Sequence, residues 1–320
     1  MKSLYGVDKL DKIENFSYVD NEKMKNENNH KYYFEQGCLQ AQEGNYKESI
    51  AYFTNAISLK KLQHYYFHRA RARVKIKEYK YALKDFDKSL YCNKNADYLN
   101  ERGKVKRSLN DFSGSIEDFT NAIFLKKYHE FYFNRGEVRL DIQDINGSME
   151  DFKDAILKSP IEEHKYRFKY GLSYSKIKDY KRALVHIEIA KNTMPSEGKY
   201  FYNLGILRMH LNQIPEAIQD FTCAIHLNYQ KDKSLFKRGK SKIILEEYES
   251  SIKDLDAAIK LHAINPSYFN QRGLANLKLR KFKIAKKDFH KCLEISPDFK
   301  DAWENLRELD NKSFWFEDES

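Results

Sequence analysis

Small residues recur along this chain at an almost fixed interval. Gly37, Ala70, Gly103, Gly136, Gly171, Gly205, Gly239 and Gly273 are separated by steps of 33, 33, 33, 35, 34, 34 and 34 residues. A second series, Ala56, Ser89, Ala122, Ala155, Ala190, Ala224, Ala258 and Cys292, keeps the same steps. Two series in one register leave little freedom of fold. Each unit is too short to enclose a core of its own and must lean on its neighbours, so the chain has to be a stack of like pieces.

Each piece reads as two helices. The chain has 320 residues, 12 of them Gly and 5 Pro, against 23 Tyr and 21 Phe, and 32% are charged. Few turn-formers favour helices joined by short connections, and the aromatic content argues against bulk disorder. In the first unit a helix is expected from about Tyr32 to Glu43, followed by a turn at Gly44-Asn45. Its second helix then carries Ile50, Phe53, Ala56 and Ile57 at core-facing spacing. Pro160, Pro195, Pro266 and Pro297 fall between units, and Pro215 falls in the first turn of a second helix.

These positions resemble the tetratricopeptide repeat family, whose unit has 34 residues. In the eighth unit the family's framework is met by Phe269, Gly273, Phe282, Ala285, Phe289, Cys292 in place of Ala, and Pro297. The sixth unit offers Phe201, Gly205, Ala217, Phe221 and Ala224, with Ile214 replacing an aromatic. Ser49, Ser115, Ser148 and Ser251 stand where the family has Ala at position 20, a small residue for a small one. The resemblance implies an all-α, right-handed α-solenoid of eight helix-turn-helix (TPR) repeats with a C-terminal capping helix. The repeats are expected at 30–62, 63–95, 96–128, 129–163, 164–197, 198–231, 232–265 and 266–298. Residues 299–310 read as the cap, with Trp303 and Leu306 covering the last repeat. Residues 1–29 read as a loosely ordered polar leader, and 311–320 as an acidic-aromatic tail.

Position 7 of the unit, usually Leu in the family, is Arg in five units: Arg69, Arg102, Arg135, Arg238 and Arg272. Sixteen residues later the same five units carry Asp85, Asp118, Asp151, Asp254 and Asp288. Units one and five lose both partners, with Gln36/Tyr52 and Tyr170/His186, while unit six has Leu204 and Asp220. Joint presence or absence predicts structural ion pairs inside the stack, because a guanidinium fork suits a partly buried carboxylate. The other reading is a set of arginines open to a ligand.

The resemblance also implies a concave wall built from first helices. Along it the last four repeats place Lys165, Lys169, Lys176, Lys199, Lys233, Lys237, Lys240 and Lys278, with Tyr202 and Phe236 among them and no acid at the same positions. A surface of one sign concentrates its field on whatever enters. These ten residues form the expected partner-binding groove, and its expected occupant is an acidic or phosphorylated protein segment. Position 5 is aromatic in six units (Phe34, Phe67, Phe133, Phe168, Tyr202 and Phe236) and serves either packing or an apolar ladder for a peptide. It never offers Lys, so the carboxylate clamp by which some family members hold a chaperone is not expected.

Catalytic signatures are missing: the chain has no Gly-rich phosphate loop, HExxH or GxSxG. No enzyme activity, cofactor or metal is expected. The formal charge of +10 is compatible with nucleic acid, membrane surfaces or acidic proteins. A scaffold or adaptor for protein partners is the favoured reading, with an RNA-binding solenoid and a structural subunit of a larger assembly as its rivals. No apolar run approaches the ~20 residues of a membrane span. Cys38, Cys92, Cys223 and Cys292 lie too far apart for a CxxC site and read as reduced thiols of a cytoplasmic, intracellular protein. The tail Phe314-Trp315-Phe316-Glu317-Asp318-Glu319-Ser320 offers a route to self-association through the basic wall.

Overall fold

A computed structural model describes residues 29–91 and 94–313. The expected leader lies outside these residues except for Asn29, as do residues 314–320 of the tail and Cys92. All regular structure among the described residues is helical, in two compact units.

The first unit, up to Lys127, contains three antiparallel hairpins. They are α1 (Asn29–Glu43) with α2 (Tyr46–Leu59), α3 (Gln63–Lys75) with α4 (Tyr79–Leu90), and α5 (Ala96–Ser108) with α6 (Phe112–Leu125). The second unit, from Tyr128, contains five more hairpins and a last helix. They are α7 (His129–Asp141) with α8 (Ile145–Lys158), α9 (Glu163–Lys176) with α10 (Tyr180–Thr193), and α11 (Gly198–His210) with α12 (Ile214–His226). Then come α13 (Lys231–Ile244) with α14 (Tyr248–Leu261), α15 (Pro266–Lys278) with α16 (Phe282–Ile295), and α17 (Lys300–Ser313). Within each unit a helix packs chiefly on the ones before and after it, so each unit is an α-solenoid.

The turns inside the hairpins share one backbone state. The fifteenth residue of every repeat has positive φ: Gly44 (86°), Lys77 (63°), Asn110 (62°), Gln143 (63°), Lys178 (62°), Asn212 (59°), Glu246 (60°) and Arg280 (58°). Such a left-handed residue ends a helix by turning the next amides back onto its last carbonyls, as Glu78 N–H does on the Arg73 carbonyl at 2.9 Å. Gly44 adopts it without strain, whereas an L-residue costs roughly 1–2 kcal/mol there. Asp111, Asp144 and Asp179 then cap second helices by accepting from the amides of Gly114, Gly147 and Arg182 at 3.0, 3.0 and 3.1 Å.

Between the two helices of a hairpin the small residues allow close crossing. A Cβ added to Gly273 would lie 2.6 Å from the Phe289 ring, and one added to Gly205 2.7 Å from Phe221. The serines at position 20 do more than stay small. Ser49, Ser115 and Ser251 donate to the carbonyls of Gly37, Gly103 and Gly239 at 2.8, 2.7 and 2.8 Å, tying the crossing point.

Two expectations need correction. The first helix opens at Asn29 rather than near Tyr32, because His30 is held by Tyr65 of the next hairpin (2.7 Å). In α17, Trp303 is 51% exposed and its indole N–H donates to the Pro297 carbonyl at 2.9 Å. Ala302, Leu306 and Leu309 do the covering instead, packed with Phe289 and Leu293. The helical phase turns Ala302, not the bulkier Trp303, toward the core.

Candidate functional site

Each of the five Arg/Asp pairs meets in bidentate fashion between the two helices of its hairpin. Arg69 reaches Asp85 at 2.9 and 2.8 Å, Arg102 reaches Asp118 at 2.9 and 2.6 Å, and Arg135 reaches Asp151 at 2.7 Å through Nη2. In the second unit Arg238 reaches Asp254 at 2.9 and 2.6 Å, and Arg272 reaches Asp288 at 3.0 and 2.6 Å. The carboxylates are buried, and the free end of several guanidiniums bridges to the preceding hairpin. Arg69 and Arg238 donate to Thr54 and Thr222 at 3.0 Å, Arg102 to Asp87 at 2.8 Å, and Arg272 to Asp256 at 2.6 Å. The pair therefore joins repeats as well as helices.

A third partner was not read from the sequence. Four residues after the arginine comes another basic side chain, one helical turn along the same face. Arg73, Lys106, Arg139 and Lys242 reach their aspartates at 2.6, 3.0, 2.9 and 2.8 Å, and in repeat eight Asn276 takes the place at 3.4 Å. Repeat six follows the same logic. With Leu204 in place of arginine, Arg208 holds Asp220 at 2.6 Å and reaches back to Glu188 at 2.7 Å. Burial, incompletely offset by Arg208, pushes the Asp220 carboxyl up to about 6. Repeats one and five lack the aspartate and have no base at this position either, Gln40 and Tyr174 standing there.

Repeat five fills the vacated space with rings. Tyr170 lies 4.6 Å from His186 between centroids, and Tyr174 stacks on His186 at 5.5 Å. The two tyrosine hydroxyls meet at 3.1 Å, and Arg167 comes within 3.4 Å of His186 Nδ1. Burial lowers the His186 pKa, with the Arg167 charge adding to it, so the imidazole is kept neutral.

The position-5 aromatics bridge adjacent first helices. Phe34 stacks on Tyr65 (4.7 Å) and Phe67 on Tyr98 (3.9 Å), while Phe133 meets Tyr166 (4.8 Å), Phe168 meets Tyr200 (5.0 Å) and Phe236 meets Tyr268 (4.9 Å) with the rings tilted. Tyr202 instead lies 6.0 Å from Phe221 and 5.8 Å from Tyr229. Several of these tyrosines are latched to the first residue of the preceding repeat. Tyr65 meets His30, Tyr166 meets His129 and Tyr200 meets His164 at 2.7, 2.6 and 2.8 Å, and Tyr268 donates to Asp232 at 2.8 Å. This motif was also missed. Its signal is the interval of 35 to 37 residues between His or Asp and Tyr. Gly198 and Ala96 cannot donate such a latch, and the next repeats there carry Ser234 and Phe131 instead of Tyr.

The lysine wall is less uniform than its sequence positions imply. Lys165 pairs with Glu162 (3.2 Å), Lys169 with Glu137 (2.6 Å) and Lys199 with Glu197 (2.9 Å). Glu162 and Glu197 sit just ahead of α9 and α11, outside the wall positions, and Glu137 belongs to repeat four. These three lysines are therefore neutralised from the edges. Lys176, Lys233, Lys237, Lys240 and Lys278 form no ion pair among the described residues. Three of them, Lys233, Lys237 and Lys240, follow one another at helical spacing on α13, beside the half-buried Phe236. Burial lowers the Lys237 pKa, and the neighbouring Lys240 adds to the effect. Among the described residues there is no cluster able to hold a metal ion. No described helix is long and apolar enough to cross a membrane.

Antiparallel hairpins in fixed register, each supported by its neighbours within its own unit, define a helical repeat protein. The profile of the tetratricopeptide repeat matches residues 30–61 and 266–299, the first and eighth hairpins. These two hairpins are tetratricopeptide repeats, and the other hairpins share their helix-turn-helix framework; proteins built of such repeats are in general protein–protein interaction scaffolds and typically non-catalytic. A search of curated protein sequences returns no match. Among solved structures, the APC/C hetero-tetramer Cut9–Hcn1 aligns at 13% identity and a TM-score of 0.58 over 82% of this chain and 52% of that one. This chain thus spans about half the length of that one. YrrB, described as a TPR protein with an unusual peptide-binding site, aligns at 20% identity and a TM-score of 0.54, covering 60% of this chain and 99% of YrrB. A tetratricopeptide repeat protein from Parabacteroides merdae aligns at 14% identity and a TM-score of 0.56, covering 77% of this chain and 98% of that one. At these identities the likeness shows the fold.

Proposed function

We propose that the unit from Tyr128 onward is a non-catalytic scaffold that binds an acidic protein segment, extended or helical, across the first helices α11, α13 and α15. The observation that carries this reading is the row Lys233, Lys237 and Lys240, three cations on one helix with no carboxylate partner among the described residues. Side-chain charges left uncompensated on one face attract a complementary segment and fix its register. The half-buried Tyr202 and Phe236 lie beside them and offer apolar contact. The peptide-binding site ascribed to YrrB shows that a repeat stack of this kind can hold a peptide.

The basic residues are divided in a way that disfavours nucleic acid. Five repeat arginines spend their charge on buried aspartates, and the cations left outward are mainly lysines, with a few scattered arginines such as Arg182 and Arg280. Single-stranded nucleic acid is gripped by a continuous basic track with exposed stacking rings, and its affinity falls steeply with salt. The test is a titration of the full chain with a fluorescein-labelled twelve-residue peptide of alternating Glu and Leu, against a labelled twelve-nucleotide RNA of mixed sequence. Saturable peptide binding, tightened when the acids are replaced by phosphoserine, supports the reading. RNA bound more tightly than either peptide at 150 mM salt would overturn it.

A further inference from the structure

The connections between repeats differ in charge along the chain. Residues 59–62, 91–95 and 124–127, which close the first three repeats, hold five lysines and no acid. The connections after repeats four, five and eight instead contain Glu162, Glu197 and Asp298. Exposed apolar side chains stand among the lysines of the first three. Tyr91 is 89% exposed, Phe124 87%, Leu59 55% and Leu125 45%. Lys60, Lys61, Lys94, Lys126 and Lys127 are exposed beside them. Lys60, Lys61, Lys94 and Lys127 form no ion pair among the described residues. The nearest acid in sequence is Asp97, in the first turn of α5.

The fold collects these residues at one edge. In the unit up to Lys127 each helix packs against the next, and the short connections make it run the opposite way. α2, α4 and α6 therefore end at the same edge, where the three connections begin. Neighbouring helices lie roughly 8–10 Å apart, so the row from Leu59 to Phe124 covers about 20 Å. The core between these helices is filled by other rings, Phe53, Phe86 and Phe119, so the fold itself does not use Tyr91 or Phe124.

Lysines alone would suit any polyanion. Rings and leucines that project from loops and helix ends, rather than line a groove, suit a soft surface that they can enter. A bilayer interface takes up both signals: aromatic and leucine side chains at headgroup depth, and lysines against anionic headgroups. We propose that this edge of the first unit docks on an anionic lipid surface. Leu59, Tyr91, Phe124 and Leu125 enter the headgroup layer, and the lysines hold its charge. The docking is peripheral and reversible, weakens with salt, and needs both signals together. No residue of α11, α13 or α15 takes part, so it stands apart from the acidic-segment reading.

The test is co-sedimentation of the full chain with vesicles of phosphatidylcholine and phosphatidylserine, against vesicles of phosphatidylcholine alone. Wild type is expected to bind the mixed vesicles, and the neutral ones more weakly by on the order of tenfold or more. Lys60→Glu, Lys61→Glu and Lys127→Glu together should lower binding by on the order of a hundredfold. Tyr91→Ser with Phe124→Ser should lower it by on the order of tenfold. All five positions are exposed, so both variants should keep the melting temperature of wild type. Phe124→Trp, with Trp303→Phe and Trp315→Phe, adds a readout that charge alone would not move: its emission should shift to the blue on the mixed vesicles. No binding of wild type to the mixed vesicles overturns the proposal. So does binding lost only with Lys237→Glu and Lys240→Glu, which places the contact on α13. Binding without a blue shift reduces the contact to charge and overturns it as well. Self-association abolished by Tyr91→Ser and Phe124→Ser, or RNA binding abolished by the three lysine changes, without vesicle binding in either case, gives the edge to another partner.

Discussion

In repeat seven, Arg238, Lys242 and Asp254 meet between the two helices; in repeat five the corresponding residues are Tyr170, Tyr174 and His186. The first joint is ionic, closed by contacts of 2.6 and 2.8 Å to one buried carboxylate. The second is a stack of rings with a neutral imidazole at its centre. Both occupy the same place in the hairpin, and no repeat keeps a lone arginine or leaves its aspartate without a base. Breaking a buried pair strands a charge at a cost of about 3–5 kcal/mol, whereas exchanging the whole set for well-packed neutral groups is often neutral. The aspartate is therefore kept only where at least one of the two other positions carries a base, as Arg208 does in repeat six and Arg272 in repeat eight.

The largest expected effect breaks the ionic joint from its hub. Asp254→Ala leaves Arg238 and Lys242 facing each other and is expected to cost about 3–5 kcal/mol in urea unfolding. A loss below about 1 kcal/mol would mean that the joint is idle. Next comes the crossing point beneath each joint. An alanine Cβ at Gly171 would meet Ile187 at 2.6 Å and the Ala183 carbonyl at 3.1 Å, while one at Gly239 meets Leu255 at 3.1 Å. Gly171→Ala is expected to cost about 1–3 kcal/mol from overpacking. Gly239→Ala should be milder, since Leu255 can shift by a few tenths of an ångström. Equal losses would show that the two crossings are equally tight.

The smallest effects are differences in pH response, and they carry opposite signs. His186 binds a proton less readily folded than unfolded, so its contribution is lost as pH falls below about 6.5, by at most about 1.4 kcal/mol per pH unit. Arg167, Tyr170 and Tyr174 face it, and none of them carries a negative charge to offset a new cation. Unfolding of wild type and His186→Gln, compared between pH 7 and 5, should show the larger acid loss in wild type, since His64, His68 and His164 are lowered by burial as well and remain in both. Asp220 of repeat six does the reverse. Its folded carboxyl, pushed up to about 6, keeps its proton longer than the unfolded one near 3.9. Stability therefore falls as pH rises through that window, and Asp220→Asn should flatten the fall. A parallel profile for variant and wild type would remove the burial effect.

The period of small residues was legible in the sequence because a crossing point tolerates nothing large, and that constraint repeats unchanged. The Arg/Asp pairs were legible because two residues of opposite charge vanish together. The third base, Arg73, Lys106, Arg139 or Lys242, was overlooked although it obeys the same rule, because a one-to-one pairing appeared complete without it. The His–Tyr latches cross between repeats, where no helical period brings the two positions into view. Glu162 and Glu197 escaped for a similar reason: they sit in the loops ahead of the wall helices, yet their side chains reach lysines of the wall. Trp303 misled because it continues the first-helix pattern in which Tyr66, Tyr132 and Phe269 are buried, whereas in α17 Ala302, Leu306 and Leu309 make the contacts.

The central claim is that repeat seven divides its basic residues, Arg238 and Lys242 serving the fold and Lys237 and Lys240 serving a partner. One titration tests it most directly, with the labelled Glu/Leu peptide added to the full chain and to its Lys237→Glu, Lys240→Glu variant at equal ionic strength and with folding verified by circular dichroism. The account predicts at least a tenfold loss of affinity, about 1.4 kcal/mol, with the helical signal and melting temperature unchanged. Undiminished affinity in a fully folded variant would contradict it.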